Sequence, residues 1–344
     1  MIKKNKKTKK RTAKRTVKRT VKRINKTKDI QNLKSGRTIE AINNENDCVL
    51  KNQNDNYRIK LVKKFGGGKS GDIVYLIQNN NTNYVLKVFM DKKSGDHEIK
   101  LHKKHCEIFG KKFLVPYLFS EGMIKNIPFL KKDENKKEYR YAIMESINDP
   151  TELSDYIRSN CKKLKNKDIN PYNLALQIFY YLAKLSKNNI SHCDLHTKNI
   201  LIIKHKTNLI MDFTFIQPNK KINVGKYHIK IIDFGLSEIN KPCPKNRRFI
   251  GAVLKDMQKC KLFKMSDVGD IKKDANKIIS GLLKKKNKNE KYINEDLYIF
   301  GKILRLLNKI KIDKNNLTTF KTKFIEELIR NKKDMKQIFT ALTL

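Results

Sequence analysis

The stretch KKFGGGKSGDIVYLI, residues 63–77, constrains the fold more than any other part of the chain. It admits two phosphate-binding readings that demand different structures. A Walker-type loop ending at Gly68-Lys69-Ser70 needs a glycine where Lys63 stands. It also needs a helix starting directly after Ser70, whose N-terminal amides would hold phosphate. The chain instead continues as Asp72-Ile73-Val74-Tyr75-Leu76-Ile77, rich in β-branched and aromatic residues, which reads as a strand. Upstream, YRIKLV at 57–62 alternates like a strand, and NNNTN at 79–83 is a turn leading into a third strand, YVLKVF at 84–89. The pattern is strand, glycine-rich turn, strand, turn, strand. It leaves Gly66, Gly68 and Gly71 as a G-x-G-x-x-G lid.

A lone glycine pattern is weak, so its surroundings decide. Lys87 sits between apolar neighbours on the third strand, where its ammonium would lie under the lid. A lysine alternating on a strand is ordinarily a solvated face. A helical segment comes next, however, DHEIKLHKKHCEIF at 96–109, and it offers Glu98 as a partner for the ammonium. Glu107 is the rival, but it lies close to the next strand signal, FLVPYLF.

The second cluster is ISHCDLHTKNILII, residues 190–203, between an amphipathic helical stretch, NLALQIFYYLAKLSKNN, and a short apolar strand. Asp194 could take a proton from an attacking hydroxyl, and Asn199 could reach a metal ion. Each alone would read as a turn cap. The third cluster argues against that: HIKIIDFGLSEI is a strand ending in Asp233-Phe234-Gly235, whose aspartate would hold Mg2+ against phosphates.

This ordered set resembles the eukaryotic-type protein kinase superfamily, over roughly residues 57–310. The resemblance implies an α+β, two-lobed protein-kinase-like fold, with a β-rich N-lobe at 49–146 and a mostly helical C-lobe at 147–344. Nucleotide contacts would come from Phe65, Gly66, Gly67, Gly68, Lys69, Ser70, Gly71, Asp72 and Ile73, and from Lys87 held by Glu98. YAIMESI resembles the hinge strand, with Met144 as gatekeeper and main-chain groups of Glu145 and Ile147 bonding the base. Asp194, Lys87 and His196 would be catalytic, Asn199 and Asp233 would hold Mg2+, and Asp296 in EDLYIFGKILRLL would brace the catalytic loop. The cofactors implied are ATP and Mg2+. The leading activity is phosphorylation of protein Ser/Thr hydroxyls. The alternatives are a small-molecule kinase and a kinase-fold scaffold that binds nucleic acid.

Several positions depart from the family pattern. Asp212 lies thirteen residues after Asn199, the more usual spacing for the metal aspartate, but Thr214 stands where Gly235 follows Asp233. Preferring Asp233 implies an insertion at about 204–227, an extra hairpin in which TNLIMDFTFI returns as KYHIKII. His192-Cys193-Asp194 lacks the arginine that usually couples activation-loop phosphorylation to activity. His196 stands where Ser/Thr kinases generally carry lysine, and D-L-H-x-x-N resembles aminoglycoside and choline kinases and kinases of large DNA viruses. No Ala-Pro-Glu-like segment lies between Asp233 and Asp296, which also resembles small atypical kinases associated with tRNA threonylcarbamoylation. Asp274 is a weaker candidate for the bracing aspartate.

The formal charge of +44 favours a polyanionic partner, although abundant Lys, Asn and Ile also fit an A/T-rich coding sequence. The charge is densest in the first thirty residues, where TAKRTVKRTVKR repeats, so 1–48 reads as a disordered basic arm able to contact nucleic acid or another polyanion. No secretory h-region and no transmembrane run is visible. Six cysteines without C-x-x-C spacing point to free thiols in a reducing compartment, cytoplasm, nucleus or a virion, and to no structural zinc.

Overall fold

The computed structural model describes residues 28–44, 47–52, 55–65, 71–110, 113–127, 138–161, 168–241, 243, 255–256, 259–260, 294–309 and 335–343. They divide into two compact units: the described residues up to Ile99 with Tyr117–Ser146, and Lys100–Pro116 with those from Ile147 onward.

The first unit is a sheet closed on itself. Its strands are β1 (Arg37–Asn44), β2 (Asp47–Asn52), β3 (Asp55–Phe65), β4 (Ile73–Asn79), β5 (Thr82–Phe89), β6 (Leu118–Lys125) and β7 (Tyr139–Glu145). They pair in the order β1-β2-β3-β4-β5-β7-β6, and β1 closes the barrel by running parallel to β6. Strict alternation along β4 and β5 sends Tyr75, Ile77, Tyr84, Leu86 and Val88 inward, where they meet Ile39, Leu50, Tyr57, Ile59, Tyr141 and Ile143. Closure depends on Gly122. A Cβ there would stand 2.0 Å from the Arg37 carbonyl oxygen, so no side chain fits where β1 crosses β6. The incoming chain is pinned by buried Asn79, whose Oδ1 accepts the Ile30 N–H (2.9 Å) and whose Nδ2 donates to the Arg58 carbonyl (2.8 Å).

The second unit is built on helices. The helix α1 (Lys92–Phe109) begins in the first unit and ends in the second. Next come β8 (Thr151–Glu152), α2 (Leu153–Asn160) and α3 (Pro171–Lys187). Asn170 caps α3 by accepting the Tyr172 N–H (2.9 Å), and Pro171 takes the first turn, where its missing N–H costs nothing. The interior of α3 is apolar on nearly every face and lies buried against α4 (Asn294–Lys309) and α5 (Met335–Thr343). Short strands complete the unit: β9 (Ile190–Ser191), β10 (Ile200–Lys204), β11 (Ile210–Asp212), β12 (Lys221–Asn223), β13 (Tyr227–Ile231) and β14 (Glu238–Ile239). Buried Gln177 of α3 fixes β13 edge-on, accepting the Ile229 N–H (2.9 Å) and donating to the Tyr227 carbonyl (2.8 Å).

Four expectations need correction. Arg37–Asn44 is a barrel strand with Ile39 and Ala41 buried, so a disordered arm cannot extend to residue 48. Lys100–Pro116 belongs with the second unit, because Leu101, Phe109, Leu114 and Val115 enter its core. The inserted hairpin pairs β11 with β12, whereas Tyr227–Ile231 pairs with β10, since Gln177 holds β13 against that strand. Finally, Cys161–Cys260 and Cys193–Cys243 are disulfide-bonded, while Cys48 and Cys106 take no part in these bridges. The bridges join residues 99 and 50 apart, which local spacing could not reveal, and the thiol argument for a reducing compartment does not stand. Among the described residues no helix is long and apolar enough to cross a membrane.

Candidate active site

In the first unit the register Val74↔Lys87 places Lys87 mid-strand on β5. Its ammonium donates to both oxygens of Glu98 at 2.7 Å, and a second carboxylate, Asp72, lies 3.6 Å away. All three are largely sequestered, with side-chain exposures of 15%, 9% and 5% for Lys87, Glu98 and Asp72. In such surroundings an unpaired charge is costly, so the lysine and its carboxylates hold one another in place. Asp72 also accepts the Met90 N–H (3.2 Å). It follows Gly71, whose φ of +76° is left-handed backbone that suits glycine. Glu107 instead pairs with Lys104 on the surface (2.9 Å). Phe65 ends β3 opposite Val74, and Ile73 is buried opposite Val88. Gly66, Gly67, Gly68, Lys69 and Ser70 lie outside the described residues, as do residues 1–27 and Asp274.

At the end of β7, Met144 packs with Phe89, Ile99, Ala142 and Leu118. The Glu145 N–H donates to the Tyr117 carbonyl (2.8 Å), and its carboxylate accepts the Tyr117 N–H (3.0 Å). Ile147 is partly exposed and belongs to the second unit.

In the second unit, α3 and β9 deliver the chain into the loop His192–Asn199, which returns as β10. Asp296 of α4, 2% exposed, accepts the backbone N–H of His192 (2.7 Å) and of Cys193 (3.1 Å). Ser237 donates its hydroxyl to the His192 carbonyl (3.1 Å). Asn199 donates its side-chain amide to the main-chain oxygen (3.0 Å) and carboxylate (3.2 Å) of Asp194. The Ile232 N–H reaches the Asn199 carbonyl (3.0 Å), so the residue before Asp233 is fastened to the same loop. Asp233 adopts φ +65° and is exposed, while Phe234 is buried, so the two side chains face different surroundings.

Residues 59–254, more than half of the chain, match the family described as protein kinase domain. The chain belongs to that family. Among solved structures, one described as "WaaP in complex with acyl carrier protein" is 10% identical, covers 81% of this chain and 83% of its own, and has a TM-score of 0.42. No curated protein matches the chain. A kinase-like fold with both strands and helices and a phosphotransferase activity follow from the family.

In this kinase-family chain the two rival aspartates stand in different settings. Asp212 spends a carboxylate oxygen on its own turn, accepting the Thr214 N–H (2.9 Å), which together with the Thr214 hydroxyl holds its pKa below the ordinary value. Asp233 follows β13, the strand paired with β10. Oxygen donors suit a hard divalent cation. Asp233 offers a carboxylate, and Asn199, with its NH2 engaged by Asp194, offers its carbonyl oxygen. Among the described residues no cluster of three or more His, Cys, Asp or Glu could hold a metal by itself, so the amide oxygen matters to the fit. A bound Mg2+ would neutralise phosphate charge there.

His196 lies 3.8 Å from the Asp194 carboxylate through Nε2, and its Nδ1 accepts the Lys198 N–H (3.2 Å). Burial lowers its pKa, against the pull of Asp233, so the ring is neutral near pH 7 and acts as a hydrogen-bonding group rather than a cation.

Sequence reasoning missed the histidine setting of Phe234. That ring stacks on His105 (4.2 Å) and lies 5.0 Å from His102 and 5.7 Å from His192. His105 and His192 are wholly buried, and desolvation lowers each to about 3. His192 must be neutral: Nδ1 accepts the Asp194 N–H (3.3 Å) while Nε2 donates to the Ile232 carbonyl (3.3 Å). The spacing of His102 and His105 on α1 is legible in the sequence, but their shared ring partner comes from a strand end far along the chain.

Proposed function

We propose that the chain transfers the terminal phosphoryl group of ATP, with Mg2+, to Ser or Thr hydroxyls of proteins. The observation that carries this reading is the loop around Asp194, whose backbone is bonded to Asp296 and whose carboxylate is bonded to Asn199. Phosphoryl transfer rests on positioning and charge neutralisation, and a loop with both ends fixed supplies the first. In this reading Lys87, aimed by Glu98, binds phosphate oxygens. Asn199 and Asp233 hold the metal. Asp194 orients the acceptor hydroxyl and takes its proton as the new O–P bond forms and the bond to ADP breaks. Phe65, Ile73 and the glycine lid, with Glu145 and Ile147, would hold the nucleotide.

A second reading, phosphorylation of a small hydroxylated metabolite, draws on His196 standing beside Asp194 without a lysine's charge. Offering the full chain labelled ATP and Mg2+ with basic proteins, acidic proteins and then hydroxylated metabolites separates the two. Label on Ser or Thr is the expected result, and label on metabolites alone would sink the protein-kinase reading. We also infer polyanion contact through the basic residues 1–27, supported by their charge.

A further inference from the structure

The loop that carries Asp194 is held at its start by Asp296, and a separate buried carboxylate holds its other end. Thr197, fully buried, donates its hydroxyl to the Asp256 carboxylate. The other oxygen of Asp256 accepts the Arg158 Nε–H at 2.8 Å. Asp256 is 1% exposed, and a carboxylate that deep is tolerated only when paired and hydrogen-bonded. The Thr197 carbonyl accepts the Ser154 N–H (3.1 Å) from the first turn of α2, the helix that also carries Arg158. Thr197 lies three residues after Asp194 and two before Asn199, so any displacement of it moves both.

We propose that Asp256 is a positioning residue for the catalytic loop, acting through the Arg158–Asp256–Thr197 bridge. Two covalent ties support this. Cys243, upstream of Asp256, is bonded to Cys193 in the loop itself, and Cys260, downstream, is bonded to Cys161 beyond the end of α2. Both flanks of the segment are thus fastened to the two pieces that Asp256 bridges. A tie needed only to close the chain would not require a buried carboxylate to end on a catalytic-loop hydroxyl.

The proposal rests on Asp194 acting at the acceptor hydroxyl, yet the two can fail separately. The full chain, kept free of reductant, is compared with Asp256→Asn, Thr197→Val and Thr197→Ser. Turnover and amide hydrogen exchange are both measured. Asp256→Asn and Thr197→Val should lower kcat about 10- to 100-fold with the KM for ATP unchanged. Exchange should rise at 192–199 but not in α3. Thr197→Ser keeps the hydroxyl and should restore both. The Thr197 variants leave the Arg158–Asp256 pair intact, so they decide the matter if Asp256→Asn does not fold. Unchanged loop exchange, exchange raised equally through α3, or Thr197→Ser as damaging as Thr197→Val would overturn the proposal. If the wild-type chain transfers no phosphoryl group, the assigned function fails, and the exchange results alone still decide whether Asp256 holds the loop.

Discussion

Lowering the pH from about 7.5 to about 5 should weaken the second unit, whose histidines His105, His192, His196 and His228 are all lowered by burial, the first two being wholly buried. His105 and His192 are fully buried and titrate at about 3 against an ordinary 6.5, desolvation being the main cause. The folded state keeps both rings neutral, whereas the unfolded chain takes up protons below about pH 6.5. Their contribution is therefore complete above that value and is lost as pH falls toward 3. At pH 5 the gap of about 1.5 pH units costs roughly 2 kcal/mol per ring, or about 4 kcal/mol together. That is a large share of the roughly 5–15 kcal/mol that holds a domain. Urea unfolding followed across the pH range should show the midpoint drop by about 1.3–2 M, for a slope of about 2–3 kcal/mol per molar. His105→Phe retains a ring against Phe234, gives up the Nδ1–H bond to the Leu101 carbonyl (2.8 Å), and removes one titration. It should lower the midpoint at neutral pH yet reduce the pH dependence by one ring's share, about 2 kcal/mol of the loss at pH 5. A wild-type midpoint that does not change between about pH 7.5 and 5, or a variant with the full wild-type slope, would refute the reasoning.

The geometry yields three further expected outcomes. Gly122→Ala places a methyl against the Arg37 carbonyl, so β1 must leave β6 or shift; a loss of about 1–3 kcal/mol in the first unit is expected, and an unchanged melting curve would contradict it. Asp233→Ala should abolish Mg2+-dependent transfer while Asp212→Ala, which breaks a turn bond, should spare it; the reverse pattern would reassign the metal aspartate. Deleting residues 1–27, which stops short of the buried Ile30, should reduce polyanion affinity and its salt dependence, and an unchanged salt slope would count against the arm.

How much of the structure is legible in the sequence depends on the range of the interactions. Alternation along 73–79 and 84–89 shows the strands because period-two patterning is local, and the helix at 173–187 is legible from its apolar spacing. The choice of Glu98 over Glu107 rests on the same helical reading, and Glu98 is the residue that meets Lys87. Barrel closure is hidden, because β1 reads RTIEAINN in a lysine-rich context and its partner β6 is a distant strand, admitted only by a bare glycine. The bridges of Cys193 and Cys161, the carboxylate of Asp256 on Thr197 and the histidines around Phe234 are likewise products of tertiary approach. Apart from the local spacing of His102 and His105, none leaves a periodic or spaced trace. The hairpin register escapes a local reading because two successive strands, β12 and β13, compete for the return, and the Gln177 clamp decides between them.

The most direct measurement is transfer of labelled phosphate from ATP in the presence of Mg2+, wild type beside Asp194→Asn, with circular dichroism showing both equally folded. The wild type should label an acceptor, and the variant should fall by about 10²- to 10⁴-fold. Equal labelling by both proteins, or a folded wild type that transfers nothing to any hydroxyl acceptor, would contradict the account.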